Sequence, residues 1–298
     1  MLQINKQYRE LIEKIKTDSE KYTDAEMKSI YKEQNASLKT LEALLGAMFI
    51  KYGVNGLLRM TSKQKGSMGL KQMLKSMGKT LGTSEIAKVT DILGSVFKDT
   101  YYKNAFTMEM GMPVNLKFDI IKKEFIDKAV NKKFKGELFS DRIWKNKSLL
   151  INRLQGSLED VMKGKTTIDK VARDIKTTFN RTAYESRRIA QTEVGRMAVD
   201  AQDAIARSSG VEEVIWNAVL DDRTVDYDAS LDGKVWGINK NHPRPIYDTH
   251  PLCRCLILSV PYKNWSPTSR KDNKTKEVIT YTNYSDWAKE KGINKTKS

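Results

Sequence analysis

Both cysteines and both histidines of this 298-residue chain, His242, His250, Cys253 and Cys255, fall within 14 positions. Just upstream stand Asp221-Asp222-Arg223, Asp226-Tyr227-Asp228 and Leu231-Asp232-Gly233. Thiol, imidazole and carboxylate groups gathered this closely can bind a soft or borderline divalent cation. Asp228, His250, Cys253 and Cys255 make a mixed O, N and S set that zinc accepts with tetrahedral geometry. A metal there would staple the 221–233 loop to the final strand of a small module that lacks a large core. The alternative is a metal-free polar knot. Cys-x-Cys is less diagnostic than Cys-x-x-Cys, free cysteine is commonly buried, and His250-Pro251 could be a turn whose imidazole bonds a carboxylate. Asp222-Arg223 and Asp232-Gly233 are turn formers. Arg223 and Arg254 could pair with carboxylates and pin two loops together.

Catalysis needs a nucleophile, a base or an open metal position. His250 with Asp228 or Asp248 is a conceivable acid–base pair, and His242 lies between prolines in what reads as a rigid loop. The sequence has no serine in a nucleophile elbow, no His-Glu-x-x-His and no phosphate-binding glycine loop. No catalytic residue is assigned, and a non-enzymatic role is expected. A hydrolase or toxin-like effector using the Asp/His/Cys cluster is the alternative.

The elements that must position these groups change character along the chain. The first 150 residues read as helical: Leu2, Ile4, Tyr8, Leu11, Ile12 and Ile15 recur at helical spacing. Thr23-Asp-Ala-Glu26 reads as a capping box opening a helix to about Ile50 or Tyr52. The Gly/Lys/Met stretch from Gly66 to Gly82 is the best candidate for a mobile loop, and Thr83-Ser-Glu-Ile for the next helix start. Pro113 breaks the pattern, which resumes through Phe118, Ile121, Phe125, Ile126 and Val130. Gly164 and Gly210 are expected helix terminators. From Val214 the period becomes two, as in a strand. Lys234-Val-Trp236 is a second strand candidate and Leu252–Val260 a third, with Cys253, Cys255 and Ile257 on one face. The expected fold is α+β. A helical region spans 1–150, a small α+β module with short antiparallel strands spans 151–261 (core about 165–261), and a basic tail spans 262–298. Trp287 sits in a short helix candidate within that tail.

Net charge is +16. Between Val211 and Cys255 five basic residues face eight acidic ones, so this segment carries −3 and the rest of the chain +19. An acidic island is a poor phosphate site and a reasonable place for a cation or an arginine. The basic remainder suits either a solvated lysine-rich surface or a neighbouring polyanion. Cysteines at i and i+2 make a strained disulfide pair, and there is no third, so a reducing cytoplasm is expected. The polar N-terminus does not read as a signal peptide. The longest apolar stretch, Leu41 to Ile50, is too short to span a bilayer, so no membrane partner is expected.

The same strings resemble the Mu F-like head morphogenesis proteins, a family of minor head proteins in tailed phages. The family's Arg-x-Ala-x-Thr-Glu helix is matched by Arg188-Ile-Ala190-Gln-Thr192-Glu193. Its Asp-x-Arg turn and Leu-x-Gly are matched by Asp221-Asp-Arg223 and Leu231-Asp-Gly233. Its closing motif is complete as His250-Pro251-Leu-Cys253-Arg254-Cys255. Where the family usually has a histidine, three residues before the leucine, this chain has Asp228. The resemblance covers about residues 165–261. It implies a virion component made in the host cytoplasm, acting in head assembly with the portal and other head proteins, and in some members in DNA packaging. Family modules are sometimes joined to toxin domains, usually on their C-terminal side, and the roughly 37 residues after Pro261 are too few for one.

Overall fold

Apolar residues spaced three and four apart bury one face of each long helix, and this pattern builds most of the molecule. The computed structural model describes residues 2–111, 120–260 and 268–291, with side chains from residue 8 and without those of 109–111. The order is α1 (Leu2–Glu26), α2 (Lys28–Tyr52), β1 (Gly53–Val54), β2 (Leu57–Leu58), α3 (Ser62–Ser67), α4 (Leu70–Gly111), α5 (Lys123–Val130), α6 (Phe139–Met162) and α7 (Ile168–Ser208). There follow β3 (Glu213–Asn217), α8 (Asp226–Leu231), β4 (Val235–Gly237), β5 (Leu256–Ser259), β6 (Ser269–Lys271), β7 (Val278–Thr280) and α9 (Tyr284–Glu290). The fold is α+β, mainly helical, with short antiparallel strands later in the chain. Among the described residues no helix is long and apolar enough to cross a membrane.

Two compact units share this chain, and they do not follow the boundary expected near residue 150. One, the helical unit, takes Thr23–Ile92 and Lys132–Ala190. The other, the module unit, takes Met1–Tyr22, Leu93–Asn131 and Gln191–Ser298. Their charges differ sharply. The helical unit has 26 Lys and Arg against 13 Asp and Glu, a net of +13, and the module unit has 27 against 24, a net of +3.

The helical unit is held by one apolar cluster. Leu38, Leu41, Leu45 and Met48 of α2 meet Leu70, Leu74 and Leu81 of α4, Leu150, Leu154 and Leu158 of α6, and Val171, Ile175 and Phe179 of α7. The methionines read as helix-contact residues behave so: Met68, Met73 and Met77 pack against this cluster, half-buried. Asn55 (φ 50°) and Gly56 (φ 77°) turn the β1–β2 hairpin with the two positive φ values that a type I′ turn needs. Glu85 and Lys147, 0% and 1% exposed, form a buried ion pair at 2.5 Å, and Ser186 bonds both.

In the module unit β3 is the central strand of an antiparallel sheet ordered β4-β3-β5, with Val214 opposite Trp236 on one side and Ser259 on the other. Trp216 is fully buried. β6 and β7 pair antiparallel, and an isolated parallel bridge joins Leu220 to Asp272.

Several expectations are corrected. Thr23 is not a cap: it is buried inside α1, and the bond from the Met27 amide to the Thr23 carbonyl at 2.9 Å keeps the backbone helical there. The 66–82 stretch is not a loop, and Thr83 starts nothing. Both lie largely in α3 and α4, because Leu70, Leu74 and Leu81 are core residues. Two helices expected between Thr166 and Gly210 are one, α7. The third strand begins only at Leu256, so the cysteines precede it. Gly164 and Gly210 do end α6 and α7, each with φ 70° and a following amide bonded five residues back. Pro113 and Phe118 lie outside the described residues. Within the expected tail, 268–291 is folded: Arg270 and Trp287 are 1% and 0% exposed.

Candidate functional site

Two short segments of the module unit bring the chemistry together. The first is α8, which starts after Val225 and ends at Asp232; Gly233, at φ 76°, then turns the chain into β4. Asp232 locks that exit: its Oδ1 accepts the Ala218 amide at 2.8 Å, while the Gly233 amide donates to the Trp216 carbonyl at 2.9 Å. The second is the turn His250-Pro251-Leu252-Cys253. The Cys253 amide donates to the His250 carbonyl at 3.2 Å, and Leu252 sits at φ 62°. Proline followed by a residue of positive φ is the arrangement of a type II turn.

These segments meet at Asp228, which is 2% exposed. Its Oδ2 lies 3.2 Å from Cys253 Sγ, 3.4 Å from Cys255 Sγ and 3.2 Å from His250 Nε2. Asp228, Cys253 and Cys255 are buried and offer ligand atoms all within 4.8 Å of one another. His250 stands at the solvent edge, its side chain 42% exposed. Its Nδ1 lies 2.8 Å from the Pro251 carbonyl. Asp228 Oδ1 is buried and, among the described residues, without a hydrogen-bond partner. Lys16 of α1 donates to the carbonyls of Cys255 (2.9 Å) and Cys253 (3.3 Å), placing one positive charge beside the thiols. A hydrogen bond from Cys255 lowers the Cys253 thiol to about 6 against the opposing effect of burial; that bond and burial push the Cys255 thiol up.

Beside this cluster is a second tie. Arg254 forks Asp221, with Nη2 2.9 Å from Oδ1 and Nη1 on Oδ2. Burial pushes the Asp221 carboxyl up, but Arg254 and the Arg223 amide outweigh it and hold it below the usual range. Of the two arginines expected to pin loops, Arg254 makes the fork. The Arg223 side chain is 75% exposed and reaches Asp221 only at 3.5 Å. Leu231 is buried and Pro251 exposed. His242 stacks on Trp236 and is not among the donors at Asp228.

The helix motif serves packing. Glu193 pairs with Arg196 at 2.7 Å, 1% and 0% exposed, and Thr192 is buried. Arg188, on the surface of the helical unit, pairs with Glu185 at 3.0 Å. Arg196 in turn reaches Asp200 at 3.3 Å, which also accepts from Arg244 and Tyr247 at 2.7 Å each.

Sequence reasoning missed Arg270. It bonds Asp232 at 2.7 Å and the carbonyls of Thr282 (2.8 Å) and Ala218, and the Tyr284 amide joins on Asp232 at 2.7 Å. It missed Asp272 too, which accepts from Trp287 Nε1 at 2.8 Å and from the Lys274 amide at 2.8 Å. The tryptophan was the signal available: a large apolar side chain in a polar stretch needs something to pack against.

Residues 153–258 match the family model described as Phage Mu protein F like protein. This stretch carries a Mu F-like module. Over 280 residues it is 24% identical to "Minor head protein GP7" of Bacillus phage SPP1, covering 85% of this chain and 89% of that protein. Over 203 residues it is 27% identical to "NAD(+)--arginine ADP-ribosyltransferase EFV" of Enterococcus faecalis, covering 63% of this chain but 41% of that protein. No solved structure matches the chain.

Proposed function

We propose that this Mu F-like protein is a non-enzymatic minor head component of a tailed phage, assembled in the host cytoplasm and carried in the virion. In this reading it associates with the portal and other head proteins and touches packaged DNA. The observation that carries the reading is the length of the likeness to a minor head protein. It runs through nearly all of both chains, helical part included, not through the module alone. The charge division supports a nucleic-acid contact on the helical unit, whose net charge is +13. A groove of about 740 Å³ between α6 and α7 includes Lys145, Arg153 and Arg181, all exposed and, among the described residues, without an acidic partner. Such a surface binds phosphates without reading bases.

The test is a pull-down with portal protein and a DNA-binding titration against salt. The portal should be retained, and the logarithm of DNA affinity should fall linearly with that of salt. Reversing Lys145, Arg153 and Arg181 to glutamate should flatten that slope by roughly 2 to 3. A chain absent from purified heads and procapsids would reject the reading.

The likeness to the ADP-ribosyltransferase favours a second, enzymatic reading, but most of that protein lies outside the match. Incubation with labelled NAD⁺ and an arginine-rich acceptor should give no transfer; transfer lost on His250→Ala would establish the enzyme instead.

A further inference from the structure

We propose that Asp228, Cys253 and Cys255 form a zinc site that closes the module, its fourth position filled when His250 swings in from the solvent edge. The inference is independent of the assembly role. It rests on how hydrogen-bonding capacity is distributed around Asp228. Three groups crowd one carboxylate oxygen, Oδ2, at 3.2–3.4 Å, while the other, Oδ1, is buried with no partner among the described residues. A knot held by hydrogen bonds alone would share its donors between two equivalent oxygens, because a buried acceptor left unpaired costs about 1–3 kcal/mol. Ligands arranged round a cation have no such preference, since each needs only to aim a lone pair at a common point.

The contacts of His250 are compatible with this site. A carbonyl only accepts, so the 2.8 Å contact with Pro251 requires the proton on Nδ1. In the neutral ring Nε2 then carries a lone pair, and that lone pair faces a carboxylate oxygen at 3.2 Å. That contact is favourable only when a positive charge, either a metal ion or the second proton of an imidazolium, lies between the two atoms. Metal-bound histidines commonly donate their other nitrogen to a backbone carbonyl in this way.

The spacing fits the ion. Zinc–sulfur and zinc–oxygen bonds of about 2.3 and 2.0 Å at a tetrahedral angle put sulfur roughly 3.5 Å from oxygen. The observed separations are 3.2 and 3.4 Å, whereas His250 Nε2, 3.2 Å from Asp228, falls outside the set of donors that all lie within 4.8 Å of one another and must rotate its exposed side chain inward to take the fourth position. Two thiolates, a carboxylate and a neutral imidazole would hold the ion with all four protein positions filled, as in structural rather than hydrolytic zinc sites. Aspartate in place of a histidine keeps the ligand number and adds a negative charge. Lys16, bonded to both cysteine carbonyls, partly offsets that charge.

The experiment uses the full chain, purified without chelator. Elemental analysis should find about one zinc per chain. Replacement by cobalt(II) should give the visible bands of a tetrahedral ion and a thiolate charge-transfer band in the near ultraviolet. Removing the metal should lower the melting temperature, and adding zinc should restore it. His250→Ala, at the exposed edge, should fold and bind zinc at least about tenfold more weakly. Cys253→Ser with Cys255→Ser should abolish the charge-transfer band. A folded, zinc-free chain indifferent to chelator, or a cobalt spectrum without thiolate bands, would overturn the proposal.

Discussion

The helical unit and the module unit solve the same folding problem differently. In the helical unit, long amphipathic helices bury an unbroken apolar cluster and, apart from the Glu85–Lys147 pair, leave most of the charge outside, a net +13. The module unit also has a buried apolar core, with Phe97, Tyr101, Met197 and Trp216 among its members, but its strands run only three to five residues. Its turns are tied in addition by side chains: Arg254 on Asp221, Arg270 on Asp232, and the donors gathered at Asp228. Its charges are spent on one another and little is left over. The helical unit therefore carries most of the net positive charge, and the module unit pairs most of its charges internally.

The strongest challenge to this contrast is to remove a buried tie from each unit. Asp232→Ala leaves Arg270 uncompensated and should destabilise the module by about 3–5 kcal/mol in denaturant unfolding. Replacing both partners sharpens the comparison. Asp232→Leu with Arg270→Met should still cost several kcal/mol, because the amides of Ala218 and Tyr284 and the carbonyls of Ala218 and Thr282 lose their partners. Glu85→Leu with Lys147→Met should cost on the order of 1 kcal/mol, because Ser186 keeps the Thr182 carbonyl at 2.9 Å. Equal losses would mean the two units are held alike.

Acid should act next, and on the module first. Asp221 and Asp272 are held below the usual carboxylate range; burial opposes this in both, and Arg254 and Trp287 respectively outweigh it. A depressed carboxyl contributes stability that is present above the unfolded value, about 3.9, and is lost as pH falls through the folded value. Melting temperature should therefore drop steeply below about pH 4, and Asp221→Asn should make that drop shallower while lowering stability at neutral pH. A profile unchanged by the substitution would remove Asp221 from the account.

The smallest effect belongs to the surface of the helical unit. Arg187 forks Asp24 at 2.8 and 3.0 Å, but the side chains are 57% and 42% exposed. Arg187→Ala should cost less than about 1 kcal/mol, a loss that added salt reduces.

Much of this was legible in the sequence. Helical periodicity identified the helices, and type and spacing singled out Asp228, His250, Cys253 and Cys255 before any geometry was known. What stayed hidden depends on partners distant along the chain. Thr23 reads as a cap because a capping box is local, whereas its burial is tertiary. Gly66, Gly69, Gly78 and Gly82 suggest a loop, yet the leucines among them pack on α6 and α7, and burial outweighs glycine's weak helix propensity. Arg270, in Ser-Arg-Lys, looks like a solvated charge; its partner Asp232 lies 38 residues away.

The central claim is that side chains from the 221–233 and 250–255 segments fasten the module. Hydrogen exchange on the full chain carrying Asp221→Ala and Asp228→Ala tests it most directly. Peptides from 213–260 should exchange much faster than in the unaltered protein, while those from 38–58 and 146–182 keep their protection. Unchanged protection across 213–260 would contradict the account.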